Sequence, residues 1–297
     1  MMHEELSVGQ VIQARLDGKA PPGVRLGLSI EGGAVAGATS GGMVTQLGHH
    51  PEVVQCFDAV YGTSIGAVSG AFLLSQNHEA IGDAFVMAAE HPECINPLRL
   101  RNVLNLDIVF SDILEKASGL DYEKVILNDT PLHPLVMTMQ WQEARSAVDA
   151  YSPNKTKIED PELLKDILYG ACKLPAICSW PSKNFKADIW DAAFHEPFPG
   201  LTPSNHGITH LLILHTQPRI RKHSKLSNAV LQVGRHAGAK AYAQYCQEVD
   251  LMTEMKVEHI FAQPNPMSPL EKNGSKVRGN VDKGSESMRL WMENNIA

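Results

Sequence analysis

The stretch Tyr61-Gly62-Thr63-Ser64-Ile65-Gly66 decides the predicted fold. It follows a strand-like apolar run, Val53–Tyr61, and opens a helix-like run, Ile65–Leu74. A serine on such a sharp strand-to-helix turn has a strained backbone, and the residues two positions before and after it must be glycine because larger side chains would collide in the turn. The following helix aims its N-terminus at the serine, where free N–H groups and a positive dipole stabilise an oxyanion. The box therefore predicts a nucleophile elbow with Ser64 at its tip.

A second glycine-rich turn lies one strand earlier in the chain. Val24–Ile30 predicts a short strand, Glu31–Ala38 is the glycine-rich segment, and roughly Thr39–Leu47 follows as a helix. A strand, a glycine loop, a helix and a second strand in this order are typical of a βαβ unit with parallel strands.

Strands and helices continue to alternate after the elbow. The further predicted strands are Leu135–Trp141, Asp188–Trp190, Thr209–His215 and Val257–Gln263. The further predicted helices are Glu79–Glu90, a short amphipathic helix around Val109–Leu114, Pro161 to about Cys172, Ser227–Thr253 and Ser285–Asn294. This alternation predicts an α/β protein, a three-layer α/β/α sandwich with a mostly parallel central sheet.

Composition and charge narrow the class of protein. The chain has 297 residues, 43% hydrophobic and 20% charged, which is an ordinary globular composition with enough apolar mass for a large core. No linker-like block divides it, so we predict an N-terminal extension (1–23) and a single domain (24–297), with the core motifs in 24–220 and its completion in 221–297. The net charge of −7 argues against nucleic-acid binding.

The cysteines and the hydropathy pattern bear on location and on metals. The five cysteines are scattered, mostly inside apolar runs, and form no CxxC pair, so we expect reduced buried thiols and no zinc site. The N-terminus has no apolar signal-peptide core, and no run of 18 apolar residues occurs. We expect a cytoplasmic protein without a transmembrane helix, and no metal or cofactor.

One basic segment departs from the overall negative charge. Between Thr216 and Ala241 there are six Lys or Arg and two His but no acidic residue. A solvated helix face with its preceding loop is one interpretation. The functional interpretation is a basic segment, residues 219–240, that makes peripheral contact with an anionic membrane surface or with phosphate headgroups.

The glycine loop, Gly32–Gly37, has three interpretations. A dinucleotide loop of the G-x-G-x-x-G type requires glycine where Ala34 stands and a carboxylate at the end of the second strand, where this chain has the elbow instead. An oxyanion loop uses the backbone N–H groups of Gly32, Gly33 and Ala34 to bind the carbonyl oxygen of an ester attacked by the elbow serine. A tight turn that permits close helix–sheet packing is the structural alternative.

The elbow serine needs a base within hydrogen-bonding reach. Among the 13 histidines, His215 at the end of a predicted strand is the candidate for a Ser-His-Asp triad, although an α/β-hydrolase places its nucleophile after several strands and here it follows two. The other candidate is Asp191, which ends a short predicted strand and precedes two small residues, so that the backbone can approach the site closely. A carboxylate serves as a base at neutral pH when burial raises its pKa.

Three motifs carry a resemblance to a known family: Glu31–Gly37, Gly62–Gly66 and Asp191-Ala192-Ala193. In that order they resemble the glycine-rich oxyanion loop, the nucleophile elbow and the aspartate-glycine-glycine/alanine motif of the patatin-like phospholipase family. Flanking segments similar to the family are Cys172–Pro175, Glu196–Pro199 and Gly207–Pro218, so the resemblance covers roughly residues 24–220. The chain departs from the family at three positions, where a glycine, a basic residue and a glycine are replaced by Ala34, Ala36 and Ala192.

The resemblance implies a serine acyl hydrolase whose catalytic pair is a serine and an aspartate, without histidine. Ser64 is then the nucleophile and Asp191 the base. The implied oxyanion donors are the N–H groups of Gly32, Gly33 and Ala34, and the N–H of Ile65 is a further candidate from the elbow itself. The implied substrates are fatty-acyl esters of phospholipids or related lipids, cleaved through a covalent acyl-enzyme. The alternatives are an acyltransferase, in which an alcohol replaces water, and a catalytically weak lipid-binding or regulatory protein of the same fold.

Overall fold

In the part of the chain that it describes, the computed structural model has one sheet of seven strands. They are β1 (Leu26–Ile30), β2 (Ala59–Thr63), β3 (Leu132–Gln140), β4 (Arg145–Ala150), β5 (Ile189–Asp191), β6 (His210–His215) and β7 (Lys256–Phe261). Their order is β4-β3-β2-β1-β6-β7, and β5 also pairs with β3. The strands β3, β2, β1, β6 and β7 run parallel, whereas β4 and β5 are antiparallel to β3.

Helices of very different length connect these strands. They are α1 (Val8–Leu16), α2 (Ala38–Gly48), α3 (Pro51–Val54), α4 (Ile65–Leu74), α5 (Ala80–Glu90), α6 (Tyr122–Leu127), α7 (Pro161–Ala171), α8 (Leu201–Asn205), α9 (Ala239–Asp250) and α10 (Gly274–Asn295). The predicted amphipathic helix around Val109–Leu114 is present as a π-helix, Ile108–Ala117. Short 3₁₀ turns occur at Ala34–Gly37 and Ala192–Phe194.

The structure describes most of the chain. The described residues are 6–96, 98–99, 102–140, 145–150, 158, 160–174, 178, 189–218, 239–252 and 254–296. The predicted basic segment, residues 219–240, lies almost entirely outside them. Within these ranges, no helix combines the length and the apolar character that crossing a bilayer requires.

The sheet is buried on both faces, which makes the fold three-layered. On β6, Leu212 and Leu214 join a large apolar core with α2, α4 and α10, whereas Leu211 and Ile213 join a second core with α9. Successive side chains of a strand point to opposite faces of a sheet, so this alternation means that helices cover both faces. The predicted three-layer α/β/α sandwich with a mostly parallel sheet is confirmed.

The N-terminal helix α1 packs into the larger core. Val8, Val11 and Ile12 are fully buried there. Arg15, near the end of the helix, forms an ion pair of 2.8 Å with Asp58. The helix lies within the predicted extension (1–23), and the domain boundary at residue 24 stays a prediction.

The strand predicted at Val53–Tyr61 is wrong in its first half. The strand begins only at Ala59, because Pro51 opens the short helix α3. Proline is favoured in the first helical turn, and the acidic Glu52 beside it suits the positive end of a helix. Val53 and Val54 are buried as part of this helix rather than as part of a strand.

The final helix, α10, begins well before the predicted Ser285–Asn294. It starts at Gly274, where the Asn273 side chain caps it. Its glycines let it lie directly on α2, since a Cβ on Gly284 would be 1.9 Å from the carbonyl oxygen of Thr39. Glycines at a helix contact weaken the apolar periodicity that marks a helix in a sequence, which is why the prediction is too short.

Candidate active site

Ser64 lies on the turn between β2 and α4. Its backbone has a φ of 56° and a ψ of −134°, a conformation that few residues other than glycine adopt, and the residue is 5% exposed. A Cβ on Gly62 would lie 2.3 Å from the Cα of Ala67. A Cβ on Gly66 would lie 2.3 Å from the carbonyl oxygen of Ile30. The turn therefore requires glycine at both positions because neighbouring backbone fills the space.

The pairing along β3 brings Asp191 next to this serine. β2 pairs with the first part of β3, β5 continues along the same edge, and β4 occupies the opposite edge. Thr63, the last residue of β2, sits opposite Leu135. Asp191, the last residue of β5, sits opposite Val136. Because β2 and β5 run in opposite directions, their carboxyl ends meet here, and Ser64 follows directly.

Asp191 is a buried carboxyl group close enough to the Ser64 hydroxyl for a hydrogen bond from Ser64 to favour its ionised form. It is 1% exposed and accepts a hydrogen bond of 2.8 Å from the Ala193 N–H. Burial raises the pKa of Asp191 to about 7, although the hydrogen bonds from Ser64 and Ala193 favour the ionised form. A carboxyl group that titrates near neutral pH is suited to accept and return a proton.

The glycine loop lies directly against the elbow. A Cβ on Gly32 would be 2.6 Å from the Cβ of Ser64. Gly33 and Ala34 have φ angles of 139° and 50°. The left-handed conformation costs alanine about 1–2 kcal/mol, so the loop keeps this shape only because surrounding contacts hold it.

The predicted oxyanion donors are backbone N–H groups on both sides of the serine. Among the hydrogen bonds of the described residues, none uses as donor the backbone N–H of Gly32, Gly33, Ala34 or Ile65. Ile65 follows Ser64 in the sequence, and Gly32 packs directly against the side chain of Ser64. N–H groups at a helix start that lack an internal acceptor suit an anionic ligand.

The thiol of Cys172 is a neighbour of Ser64 that sequence reasoning missed. It lies close enough to Ser64 for the serine hydroxyl to favour the thiolate form, although burial outweighs this effect. Burial and the nearby charge of Asp191 raise the pKa of Cys172 well above its usual range, so the thiol stays neutral. The sequence signal is its place in the family-like segment Cys172–Pro175, which by itself assigns the thiol no contact. All five cysteines are buried thiols outside disulfide bonds, as predicted.

His215, the alternative base, has other partners. Its Nδ1 lies 2.9 Å from Oε2 of Glu31, and its Nε2 lies 2.8 Å from Nδ1 of His259. Both ring nitrogens are therefore hydrogen-bonded, while the Ser64 hydroxyl contacts Asp191. The structure brings Ser64 and Asp191 together and places His215 in a different network.

A candidate metal cluster lies apart from the serine. Within the described ranges, one group of three metal-type ligands has its ligand atoms within 4.8 Å of one another: His49, His78 and Glu79. His49 follows the carboxyl end of α2, whereas the glycine loop precedes its amino end, and a helix of this length spans roughly 16 Å. The cluster therefore lies outside the candidate active site.

The three-layer fold and the serine on its strand-to-helix turn define the class of α/β proteins with a nucleophile elbow. Within that class, the family model described as patatin-like phospholipase matches residues 28–276. The chain belongs to the patatin-like phospholipase family, whose members generally hydrolyse lipid esters. The match extends beyond residue 220, where the motif resemblance ends. No curated protein matches the chain.

Proposed function

We propose that this protein is a serine acyl hydrolase that cleaves fatty-acyl esters of phospholipids or related lipids. Membership of the family supports lipid esters as the substrate class. The observation that carries the proposal is the contact between the Ser64 hydroxyl, on a strained elbow, and the buried carboxyl of Asp191, whose pKa is about 7. The pair supplies a nucleophile and its base without a histidine.

In the first half of the proposed reaction, Ser64 is acylated. The carboxylate of Asp191 accepts the hydroxyl proton while Oγ attacks the carbonyl carbon of the ester. The tetrahedral oxyanion accepts hydrogen bonds from the N–H groups of the glycine loop and of Ile65. As the intermediate collapses, Asp191 returns the proton to the leaving alcohol, and the fatty acyl group stays on Ser64 as an ester.

In the second half, water removes the acyl group. The ionised Asp191 accepts a proton from water while the water oxygen attacks the acyl-enzyme carbonyl. Collapse of this second intermediate breaks the bond to Oγ, the proton returns to Ser64, and the fatty acid leaves. An alcohol in place of water would make the same site an acyltransferase, and product analysis with an added alcohol acceptor separates the two reactions.

Two parts of the proposal come from the sequence alone. The basic segment, residues 219–240, is proposed to contact an anionic membrane surface, because lysine and arginine near such a surface contribute about 1 kcal/mol each. A cytoplasmic location is proposed because the scattered cysteines, without a CxxC pair, fit reduced thiols in a reducing compartment.

Labelling by a fluorophosphonate probe tests the proposed nucleophile, because the probe reacts with an activated and accessible serine. We expect labelling of the wild type and none of Ser64→Ala. Ser69→Ala is the matched control, since Ser69 is buried in α4, the helix that follows Ser64, and its hydroxyl donates to the carbonyl oxygen of Ile65. Asp191→Asn should slow labelling by about 10²- to 10⁴-fold, the usual contribution of a general base.

Two outcomes would contradict the proposal. Labelling that survives Ser64→Ala would put the nucleophile elsewhere in the chain. A folded wild type that takes no label, but binds lipid vesicles as well as Ser64→Ala does, would favour the lipid-binding alternative.

A further inference from the structure

A chain of four hydrogen-bonded side chains runs from the glycine loop toward the surface. We call it the acid–histidine chain, and its members are Glu31, His215, His259 and Asp250. The distances are 2.9 Å from Glu31 Oε2 to His215 Nδ1, 2.8 Å from His215 Nε2 to His259 Nδ1, and 2.9 Å from His259 Nε2 to Asp250 Oδ1. Glu31 and His215 are 2% and 0% exposed, and the other two side chains are 13% and 28% exposed. The acid–histidine chain thus links the buried interior beside the glycine loop to solvent.

Glu31 connects this chain to the glycine loop because it immediately precedes Gly32. Its carboxylate also accepts a hydrogen bond of 3.0 Å from the Thr216 N–H. Its own N–H donates to the carbonyl oxygen of Leu214 at 3.0 Å, and its carbonyl oxygen accepts from the Ser40 hydroxyl at 3.0 Å. These bonds fix the amino end of the loop to the carboxyl end of β6.

These hydrogen bonds provide partners for the buried polar groups of the acid–histidine chain. Each ring nitrogen of His215 and His259 has a polar partner at 2.8 or 2.9 Å. The carboxyl group of Glu31 is 2% exposed, and burial of such a group without polar partners would be costly. His215 is therefore one of the partners that stabilise Glu31 in the interior.

Aromatic packing holds the ring of His215 in place. Phe261 stacks on it with the ring centroids 4.1 Å apart and the planes at 8°. Phe198 meets it edge-on at 4.8 Å. The imidazole is therefore restrained between two rings while its nitrogens face Glu31 and His259.

We propose that Glu31 and His215 are positioning residues that hold the glycine loop in its oxyanion-binding shape. The inference rests on the proposed function, because the loop has this task only if Ser64 attacks esters. The loop contains the strained Ala34, so it needs an anchored end, and Glu31 is that end. Loss of the imidazole removes one of the hydrogen-bond partners that hold the Glu31 carboxyl group, so the adjoining backbone shifts. A shift of about 1 Å near the reacting atoms costs about 100-fold in rate.

The kinetics of fluorophosphonate labelling test this role. For His215→Phe, which keeps an aromatic ring, we expect the maximal labelling rate constant to fall by about 10- to 100-fold and the half-saturating probe concentration to stay within about twofold. The matched control is His210→Phe, at the opposite end of β6, where the histidine is 2% exposed and bonds the carbonyl oxygen of Leu6. Its rate constant should stay within about threefold of wild type. Glu31→Gln, which keeps an acceptor for both donors, should lose less than Glu31→Ala.

A purely structural role would change a different quantity. Partial unfolding lowers the fraction of protein that takes the label, whereas a displaced loop lowers the rate constant of the folded fraction. If His215→Phe does not fold, His259→Leu breaks the central bond nearer the surface and should slow labelling about threefold or more. Wild-type rate constants in the variants that fold would overturn the positioning role and leave the hydrolase intact. A wild type that takes no label would overturn the proposed function and this inference with it.

Discussion

Replacing Asp191 by asparagine should change how the stability of the protein depends on pH. The carboxyl group is 1% exposed, and its pKa is about 7 in the folded protein against an ordinary value of 3.8. Between those two values the folded state retains a proton that the unfolded chain has released. Because the folded state binds more protons, the free energy of unfolding falls as the pH rises through this range. Asparagine is neutral throughout and removes the dependence.

The magnitude follows from the two pKa values of Asp191. The group lowers the free energy of unfolding by roughly 2 kcal/mol at pH 5 and roughly 4 kcal/mol at pH 8, relative to a neutral side chain. The stability of Asp191→Asn relative to the wild type should therefore increase by roughly 2–3 kcal/mol between pH 5 and pH 8. Ser64→Ala should have the opposite effect. It removes a hydrogen bond that favours the ionised carboxylate, so the pKa of Asp191 rises further and the decline with pH becomes steeper.

Urea unfolding at pH 5 and pH 8 measures these differences. The same ionisation should govern probe labelling, because Asp191 acts as a base only when ionised. With a pKa of about 7, the labelling rate should rise by roughly two orders of magnitude from pH 5 to pH 8. A stability difference between the wild type and Asp191→Asn that is equal at both pH values would refute the reasoning. It would mean that Asp191 ionises alike in the folded and unfolded states.

Three further predictions concern backbone positions and are measured by urea unfolding, together with probe labelling for Gly66→Ala. Ala34→Gly should stabilise the protein by about 0.5–1 kcal/mol, because a φ of 50° costs alanine more than glycine, and a loss of stability would argue against strain there. Gly66→Ala should destabilise by about 2 kcal/mol or more and abolish labelling, because its Cβ would lie 2.3 Å from a carbonyl oxygen of β1; a labelled, stable variant would contradict this. Gly284→Ala should destabilise, since its Cβ would lie 1.9 Å from a carbonyl oxygen of α2, whereas Gly279→Ala in the same helix, with its nearest neighbour at 3.6 Å, should stabilise by about 0.5–1 kcal/mol. If Gly284→Ala and Gly279→Ala change the free energy of unfolding in the same direction, the close contact of α10 with α2 does not determine its stability.

Features whose cause is local could be predicted from the sequence. The elbow needs its strained serine and two glycines within a few residues, and helix α4 has the predicted bounds, Ile65–Leu74. Helix α7 begins where the acid-then-proline signal predicts, with the Asp160 side chain accepting from the Glu162 N–H. In both cases the atoms that make the structure are neighbours in the chain.

Features whose cause lies elsewhere in the molecule were not predictable in this way. The apolar residues Val53 and Val54 fit a strand or a buried helix equally well, and only the packing against the core decides between them. The early part of α10 depends on close contact with α2, and no residue of α10 predicts that contact. A short apolar run therefore predicts burial more securely than it predicts the element that is buried.

The sequence motifs do not specify the order of the strands, and the strand order is what brings the motifs together in the candidate active site. Ser64 and Asp191 meet because β5 takes over the edge of β3 where β2 ends, and nothing in Ile189–Asp191 specifies that pairing. The acid–histidine chain arises in the same way, since β1, β6 and β7 are adjacent and parallel. Glu31 follows β1 and His215 ends β6, so both lie at the carboxyl edge of the sheet, where α/β proteins bind their ligands. Given the strand order, the sequence positions would have been enough to place Ser64 beside Asp191 and Glu31 beside His215.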